Sequence, residues 1–364
     1  MKPRPGRLLR KAAATGRLYR ALVRRLISPN SESEGLLEAG VCRRWYALCH
    51  DPVLRRRMDV SFMPLSGIRI WRLLRSQVTS RVEGLRLRGC FQLYRSRWGG
   101  ASHMAAAVHH HHHHSLSPSL HSFTLPELRR LCPALRSLAL LDMALAFDTN
   151  GAMPALADLP PSLRRLSLRA CSFQAPKFFE RDPEQLLSRL ELLDLADCVQ
   201  ADAWSMSLLA EGATSLKALG LEGCRRVDGP ALLRLGTPLV ARLRVLDIEG
   251  CPVEDDALRV ILGEAVCLEQ LYLAMTPLTG DAFRGTCTPS APRLQRLCLR
   301  TLRFISADPG ILRCVSRAAP RLHTLFVDAD VPANVEEQLP PQCRVLRRGG
   351  SEETCGHFLG AAVF

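Results

Sequence analysis

Aliphatic residues return along this chain at a regular interval, in the pattern L-x-x-L-x-L. Eight copies begin at positions 135, 163, 190, 216, 243, 268, 294 and 322, so successive copies are 25 to 28 residues apart. Val82, Leu85 and Leu87 form an earlier copy. Because a strand directs alternate side chains to one side, the last two leucines of each copy share a face. A unit this short can bury that face only by stacking on the next unit.

The interval of the repeat predicts the fold class. It is typical of an α/β leucine-rich-repeat solenoid, with a curved parallel sheet inside and helices outside. Acidic residues begin the second half of some repeats, as at Asp255 and Asp256, which favours helices there. We expect the solenoid over residues 61–347. Its last outer helix should run from Asp308 to Arg321, and residues 331–347 should cap the open end of the stack.

The residues beside and between the leucines are expected to line the concave face of this sheet. The candidate substrate-binding residues there are Arg165, Arg169, Asp194, Glu222, Asp247, Glu249, Tyr272, Arg296, Arg300 and Phe326. Acids lie in the central repeats and arginines lie to either side. This order favours a protein partner with basic residues at its centre and acidic residues at its edges. A second interpretation, that these are solvated strand residues without a partner, is kept beside it.

Four of the 14 cysteines recur with the repeat, at Cys171, Cys198, Cys224 and Cys251. A repeat position predicts a buried free thiol in a reducing compartment rather than a disulfide framework. No two cysteines have the close spacing that a zinc site needs. Glycine-rich phosphate loops and the usual hydrolase motifs are also missing from the sequence. We therefore expect no catalytic residue, no metal and no cofactor, and a protein that is not an enzyme.

The segment before the repeats carries a second pattern. Val41, Trp45 and Leu48 have the spacing of one face of a helix. The longer spacing V-C-x-x-W-x-x-L-x-x-D-x-x-L, which ends at Leu54, resembles the second half of an F-box. With leucine-rich repeats behind it, the chain resembles the F-box/leucine-rich-repeat family. We place a partial F-box at residues 34–60.

That resemblance implies a function. Members of the family are substrate-recognition subunits of SCF-type cullin-RING E3 ubiquitin ligases, in which the F-box docks on the Skp adaptor and the repeats capture a protein substrate. Carried over to this chain, the adaptor contacts would be Val41, Trp45, Leu48 and Leu54. The family's opening F-box helix has no clear counterpart, and Arg55 stands where a tryptophan is usual. These departures predict weakened adaptor binding. The expected location is the cytoplasm or the nucleus.

The first 33 residues form a basic arm. Nine Lys and Arg residues and no acid lie between Met1 and Ser31, which is most of the net charge of +14. Leu18, Leu22 and Leu26 are spaced for one side of an amphipathic helix. The arm is expected to be disordered or an isolated helix. It is also compatible with a mitochondrial transit peptide, which suggests an alternative function: a non-catalytic leucine-rich-repeat scaffold or assembly factor in mitochondria.

Two further segments are expected to lie outside the packed solenoid. A His-rich insertion at about residues 97–121, with the run His109–His114, has the composition of a disordered loop. Residues 348–364 should form a short tail. No apolar run reaches the length of a membrane-spanning helix. Because the excess charge is concentrated in the arm, the rest of the chain offers little basis for nucleic-acid binding.

Overall fold

The computed structural model describes residues 56–90, 119–121, 124–146, 154–180, 182, 185–284, 301–303, 309–328 and 333–348. The strands in chain order are β1 (Arg57–Asp59), β2 (Gly84–Arg88), β3 (Ser119–His121), β4 (Ser137–Leu141), β5 (Ala144–Ala146), β6 (Arg165–Ser167), β7 (Leu192–Asp194), β8 (Ala218–Gly220), β9 (Val245–Asp247), β10 (Gln270–Tyr272), β11 (Thr301–Arg303), β12 (Thr324–Asp328) and β13 (Arg344–Arg348).

Helices alternate with these strands. In the part of the chain that is described they are α1 (Gly67–Gln77), α2 (Thr124–Leu131), α3 (Ala175–Glu180), α4 (Leu186–Arg189), α5 (Ala203–Gly212), α6 (Gly229–Leu233), α7 (Gly236–Val240), α8 (Asp255–Glu264), α9 (Asp281–Arg284) and α10 (Pro309–Ala318). Two 3-10 helices, Leu156–Asp158 and Ala333–Gln338, take the same place in their repeats. Acids cap several of these helices: the Asp202 carboxylate accepts the Ser205 N–H, and the Asp228 carboxylate accepts the Ala231 N–H.

The main sheet has 11 strands in the order β1-β2-β4-β6-β7-β8-β9-β10-β11-β12-β13, and each neighbouring pair is parallel. β3 and β5 form a separate parallel pair. The strand order follows the chain order, as stacking of successive repeats requires. The predicted α/β leucine-rich-repeat solenoid is therefore confirmed.

The leucines of the repeat form one continuous core. Register pairs Leu166 with Leu193, Leu193 with Leu219, and Leu219 with Leu246, so each leucine lies beside its counterpart in the next repeat. All four are buried, and they belong to one cluster with helix residues such as Leu258. One face of the sheet is thus packed against the helices along its length.

The repeated cysteines belong to this core as free thiols, as predicted. Each thiol donates to the carbonyl of a leucine in the preceding repeat, for example Cys198 Sγ to Leu168 O at 3.0 Å and Cys251 Sγ to Leu221 O at 3.0 Å. Burial raises the pKa of the Cys251 thiol to about 12. These cysteines connect neighbouring repeats and stay protonated, which makes them poor nucleophiles.

One predicted repeat has the wrong register. The copy at Leu294, Leu297 and Leu299 would place the strand near residue 297, but the strand is β11, and Leu302 is aligned with Leu271 and Leu325. Leu299 and Leu302 carry the same L-x-x-L spacing as Leu294 and Leu297. The ladder uses the later pair, so the repeat before β11 is longer than average and the one after it is shorter.

Two predicted boundaries also need correction. The partial F-box was placed at residues 34–60 and the solenoid from 61, but β1 at Arg57–Asp59 is already paired with β2 in the main sheet. The insertion was placed at about 97–121, but Ser119–His121 forms β3 and pairs with β5. Both strands are short and show little hydrophobic periodicity in the sequence. Their pairing with β2 and β5 identifies them. The basic arm, the His109–His114 run and most of the F-box segment lie outside the described residues.

Because the repeat leucines share one core, replacing a single one of them should destabilise the fold. Leu219→Ala removes a fully buried side chain and should lower the free energy of unfolding by about 3 kcal/mol in urea titration. The matched control is Leu233→Ala, because the Leu233 side chain is 39% exposed. This variant should change the free energy of unfolding by under about 0.5 kcal/mol. Equal losses in the two variants would contradict the continuous core.

Candidate functional site

The face of the main sheet opposite the leucines is the candidate binding surface. We call its central part the inner wall; it comprises Ala139, Leu141, Arg165, Ser167, Arg169, Leu192, Asp194, Ala196, Ala218, Gly220, Glu222, Val245, Asp247, Glu249, Gln270 and Tyr272. Alternation along each strand puts these side chains on the other side from the core leucines. The inner wall divides into an apolar part and an acidic part.

The apolar part is a second hydrophobic cluster, separate from the leucine core. Ala139, Leu141, Leu192 and Ala218 are all buried in it, with Val245 partly buried at its border. All five are strand or strand-end residues. Among the described residues, no helix residue belongs to this cluster.

Asp194 is the buried centre of the acidic part. Its carboxylate accepts the Ser167 hydroxyl at 2.8 Å and the Ala196 N–H at 3.0 Å, so both oxygens have donors. Gly220, its neighbour in register on β8, adds no side chain beside it. Burial raises the pKa of Asp194, while the Arg169 guanidinium opposes that rise. The Ser167 hydroxyl and the Ala196 N–H therefore orient a carboxylate that has little contact with water.

Arg169 is the cation of the acidic part. Its guanidinium donates to the Glu222 carboxylate and lies 3.8 Å from Asp197 Oδ2. Burial opposes the charge of Arg169, but Asp194 and Glu222 outweigh it, so the pKa of Arg169 is raised. The sequence predicted that Arg169 flanks the central acids, and in the structure its guanidinium is paired with acids of the same wall.

Asp247 and Glu249 extend the acidic part onto the next repeat. Both are buried, and the Asp247 carboxylate accepts the Glu249 N–H at 3.1 Å. Burial raises the pKa of Asp247 well above its usual value, and Glu249, Glu222 and Asp194 add to the rise by repulsion. The interpretation as solvated strand residues is therefore wrong for Asp194, Asp247 and Glu249.

The remaining predicted wall residues have different placements. Arg165 is exposed at the start of β6. Tyr272 is buried beside Asp247 in register, and its hydroxyl donates to Gln270 Oε1 at 3.3 Å. Phe326 is partly buried on β12 and is paired in register with Arg303.

Two sets of predicted residues lie outside the part of the chain that the structure describes. Arg296 and Arg300 lie outside the described residues, and the register gives their expected wall positions to Thr301 and Arg303. The predicted adaptor residues Val41, Trp45, Leu48 and Leu54 also lie outside the described part.

Sequence reasoning missed one acid next to the wall, Asp197, which lies 3.8 Å from the Arg169 guanidinium. It follows β7 in the left-handed conformation, with φ at 57°, and its N–H donates to Glu222 O at 2.6 Å. Gly223 and Gly250 take the same position and conformation in the next two repeats. Asp tolerates this conformation better than most residues with a side chain. The signal that could have found Asp197 is its alignment with those glycines, immediately before the repeat cysteine.

Two searches of the described residues bear on the class of site. No group of three or more His, Cys, Asp or Glu residues in them is arranged to hold a metal ion. None of the described helices combines the length and the apolar character needed to cross a membrane.

Comparison with known proteins points to one family. The chain is 26% identical over 263 residues to human F-box/LRR-repeat protein 12, covering 71% of each chain, and 26% identical over 267 residues to the bovine protein of that name, again covering 71% of each. The mouse protein is 26% identical over 224 residues, 60% of this chain and 58% of that protein. These relatives confirm the resemblance to the F-box/leucine-rich-repeat family. No family model matches the chain.

Among solved structures, one that the chain matches is an internalin, InlF, from Listeria monocytogenes. It is 14% identical, covers 77% of this chain and 70% of its own, and superposes with a TM-score of 0.35.

Because the pKa of Asp247 is raised, replacing this acid by a neutral residue should stabilise the folded protein by an amount that depends on pH. Above the pKa of Asp in the unfolded chain, about 3.9, the folded state holds more protons than the unfolded state, so this group lowers stability as pH rises. Asp247→Asn keeps the acceptor for the Glu249 N–H and should raise the free energy of unfolding at pH 7. The gain should vanish near pH 3. Chemical denaturation at the two pH values measures this.

The control for that experiment is Asp256→Asn on α8, where the side chain is 94% exposed. It should leave the difference between the two pH values unchanged. A destabilised Asp247→Asn protein at pH 7 would show that the charge of Asp247 is compensated in the folded state, contrary to our account.

Proposed function

Because the chain resembles F-box/leucine-rich-repeat proteins in sequence and has their repeat architecture, we propose that it is the substrate-recognition subunit of an SCF-type cullin-RING E3 ubiquitin ligase. In this proposal the inner wall captures a protein substrate and the segment before β1 docks on the Skp adaptor. The observation that carries it is the inner wall itself: charged, aromatic and apolar side chains held in register on one face of a rigid sheet. Such a surface is suited to protein recognition.

The adaptor side of the proposal rests on the sequence. Val41, Trp45, Leu48 and Leu54 would form the apolar contact with the Skp adaptor, and the cullin-RING core would follow from that contact. An F-box without a clear opening helix offers less apolar area, at about 25 cal/mol per Å², so in this proposal the chain binds the adaptor more weakly than a complete F-box would. We propose a location in the cytoplasm or nucleus, where this machinery operates.

The substrate side follows from the inner wall. Four acids of the wall and the neighbouring Asp197 outnumber its two arginines, so the wall favours basic side chains at its centre, next to apolar ones over Leu192 and Val245. Arg165 at β6 and Phe326 at β12 are positioned toward the two sides of this centre. In this proposal the chain binds and presents its substrate and performs no chemistry itself.

The proposed adaptor contact predicts the effect of replacing Trp45. Trp45→Ala in the full chain should abolish co-precipitation with the purified Skp adaptor, because it removes the largest apolar side chain of the proposed face. Trp204→Ala is the matched control, since Trp204 lies on the outer helix α5 and is 37% exposed. Urea unfolding of both variants checks that the fold is kept.

Two results would contradict the ligase proposal. One is failure of the adaptor test: either the unchanged chain does not bind the adaptor, or the Trp45→Ala and Trp204→Ala variants bind it equally well. The other is import into mitochondria of a reporter fused to residues 1–33, because the arginine-rich, acid-free arm is the observation that favours a mitochondrial scaffold or assembly factor instead.

A further inference from the structure

The last strand of the main sheet has an open edge. β13 ends the strand order, and β12 is its one neighbour among the strands that the structure describes. The Arg344 N–H donates to the carbonyl of His323, which precedes β12, at 2.8 Å. Because successive N–H groups of a strand point to opposite sides, the Val345 N–H points toward the open edge. Such an edge is a template for one further strand.

The charge of β13 indicates what kind of strand fits beside it. The sequence of β13 contains three arginines, Arg344, Arg347 and Arg348. A second copy of β13 would bring arginine against arginine, which is unfavourable across a pair of strands. A strand that carries acids would instead place opposite charges next to each other. The fitting strand is therefore acidic.

An apolar side chain is also open at this edge. Leu346 is 46% exposed and is paired in register with Phe326 on β12. An exposed leucine on an edge strand favours association with another strand, because the association removes apolar area from water. The edge thus offers hydrogen bonds, charge and apolar area to one and the same occupant.

The segment that follows β13 has the required charge. Residues 349–364, which lie outside the described part of the chain, contain Glu352 and Glu353 and no Lys or Arg. The other undescribed segments of comparable or greater length all contain arginine; they are residues 1–55, 91–118 and 285–300. Charge and the direct connection to β13 therefore select the same segment.

We propose that residues 351–355 bind the open edge of β13 as an antiparallel strand of the main sheet. The contact lies within one chain, so the proposal does not depend on the ligase assignment. It gives the sheet an end that is formed by the chain itself.

The residues between the two strands suit the turn that this requires. A loop of three residues is a common connection in hairpins, and its last residue takes a left-handed conformation. With the loop at residues 348–350, that residue is Gly350, and glycine adopts the conformation without steric cost. This loop places Glu353 opposite Val345, so the Val345 N–H donates to the Glu353 carbonyl.

The same register brings both acids near arginines. Glu352 lies opposite Leu346 and diagonal to Arg344, and Glu353 lies diagonal to Arg347. Side chains at such positions on one face of a sheet are within reach of each other. Arg347 already lies 3.9 Å from Glu336, so the pair between Glu352 and Arg344 is the principal new charge contact.

The added strand has a consequence for association with other chains. Pairing within the chain acts at a high effective concentration, so it competes strongly with a second chain for the same edge. While residues 351–355 occupy the edge, no strand of another molecule pairs with β13. Displacement of this segment would make the edge available.

Amide hydrogen exchange of the full chain tests the pairing. Mass spectrometry with electron-transfer fragmentation resolves single residues. The Leu346 N–H faces β12 and should exchange slowly in either case. The Val345 N–H should exchange about as slowly if the proposed strand is present. Rapid exchange of Val345 beside a slow Leu346 would overturn the proposal.

Two proline variants of the full chain test the register, and each removes one acid. Glu353→Pro removes the N–H that would donate to the Val345 carbonyl, and it should speed exchange of Val345 at least about tenfold. Glu352→Pro removes an N–H that would point away from β13, where an edge strand tolerates proline, so Val345 should stay slow. Slow exchange of Leu346 in both variants shows that β12 and β13 remain paired. Equal rates for Val345 in the two variants would contradict the proposal.

Dilution distinguishes this segment from a second copy of the chain. Protection of Val345 should not change with protein concentration, because the contact is intramolecular. Protection that is lost on dilution would assign the edge to another molecule and refute the proposal.

Charge reversal tests the contribution of the acids. The double variant Glu352→Lys with Glu353→Lys should speed exchange of Val345 several-fold at low salt, because it sets lysines beside the arginines of β13. The matched control reverses two exposed acids of the outer helices α5 and α8, Glu211→Lys with Asp256→Lys. Val345 should exchange at its original rate in the control. The same acceleration in both double variants would show that net charge alone is responsible, contrary to the proposal.

Discussion

The parallel register of the main sheet is the constraint on which the rest of the structure depends. Each leucine lies beside a leucine of the next repeat, so a one-residue slip would turn the leucine face toward the inner wall and the acids toward the core. The free-energy cost of such a slip keeps every strand in the same register. As a result, residues separated by 25 to 28 positions in the sequence become neighbours on one surface.

The same register explains why the inner wall can carry buried acids. Asp194 lies between Ser167, which donates a hydrogen bond to it, and Gly220, which leaves space. Arg169 reaches across two repeats to Glu222, because the two strand ends lie on the same edge of the sheet. A rigid sheet holds these charges close to one another despite repulsion. In the proposed function, the stability given up here would be available as binding energy for a substrate that carries cations.

The sequence predicted the elements whose signal is periodic. Leucine spacing located strands β2, β4, β6 to β10 and β12, and the acid-rich starts of repeats indicated outer helices such as α8. It failed at β11, where two leucine pairs five residues apart satisfy the same pattern and only pairing with β10 and β12 selects Leu302. It also missed β1, β3 and β5, which are as long as β6 but carry no copy of the leucine pattern.

The candidate site was predicted less completely than the fold. Alternation correctly assigns Asp194 and Asp247 to the inner wall, but it carries no information on whether their neighbours bury them. Their burial depends on lateral packing of residues from several repeats, such as Leu192 with Ala218. Asp197 was missed because its side chain belongs to a turn, and turns follow backbone conformation rather than strand alternation.

The central claim is that one continuous leucine face couples the repeats and fixes the inner wall. Native-state hydrogen exchange of the full chain, followed by mass spectrometry under increasing urea, tests it most directly. Our account predicts that backbone amides of β6 to β10 are strongly protected and open together, at one free energy, because no central repeat can expose its leucines alone. Rapid exchange in these strands, or openings that differ from repeat to repeat without relation to their neighbours, would contradict it.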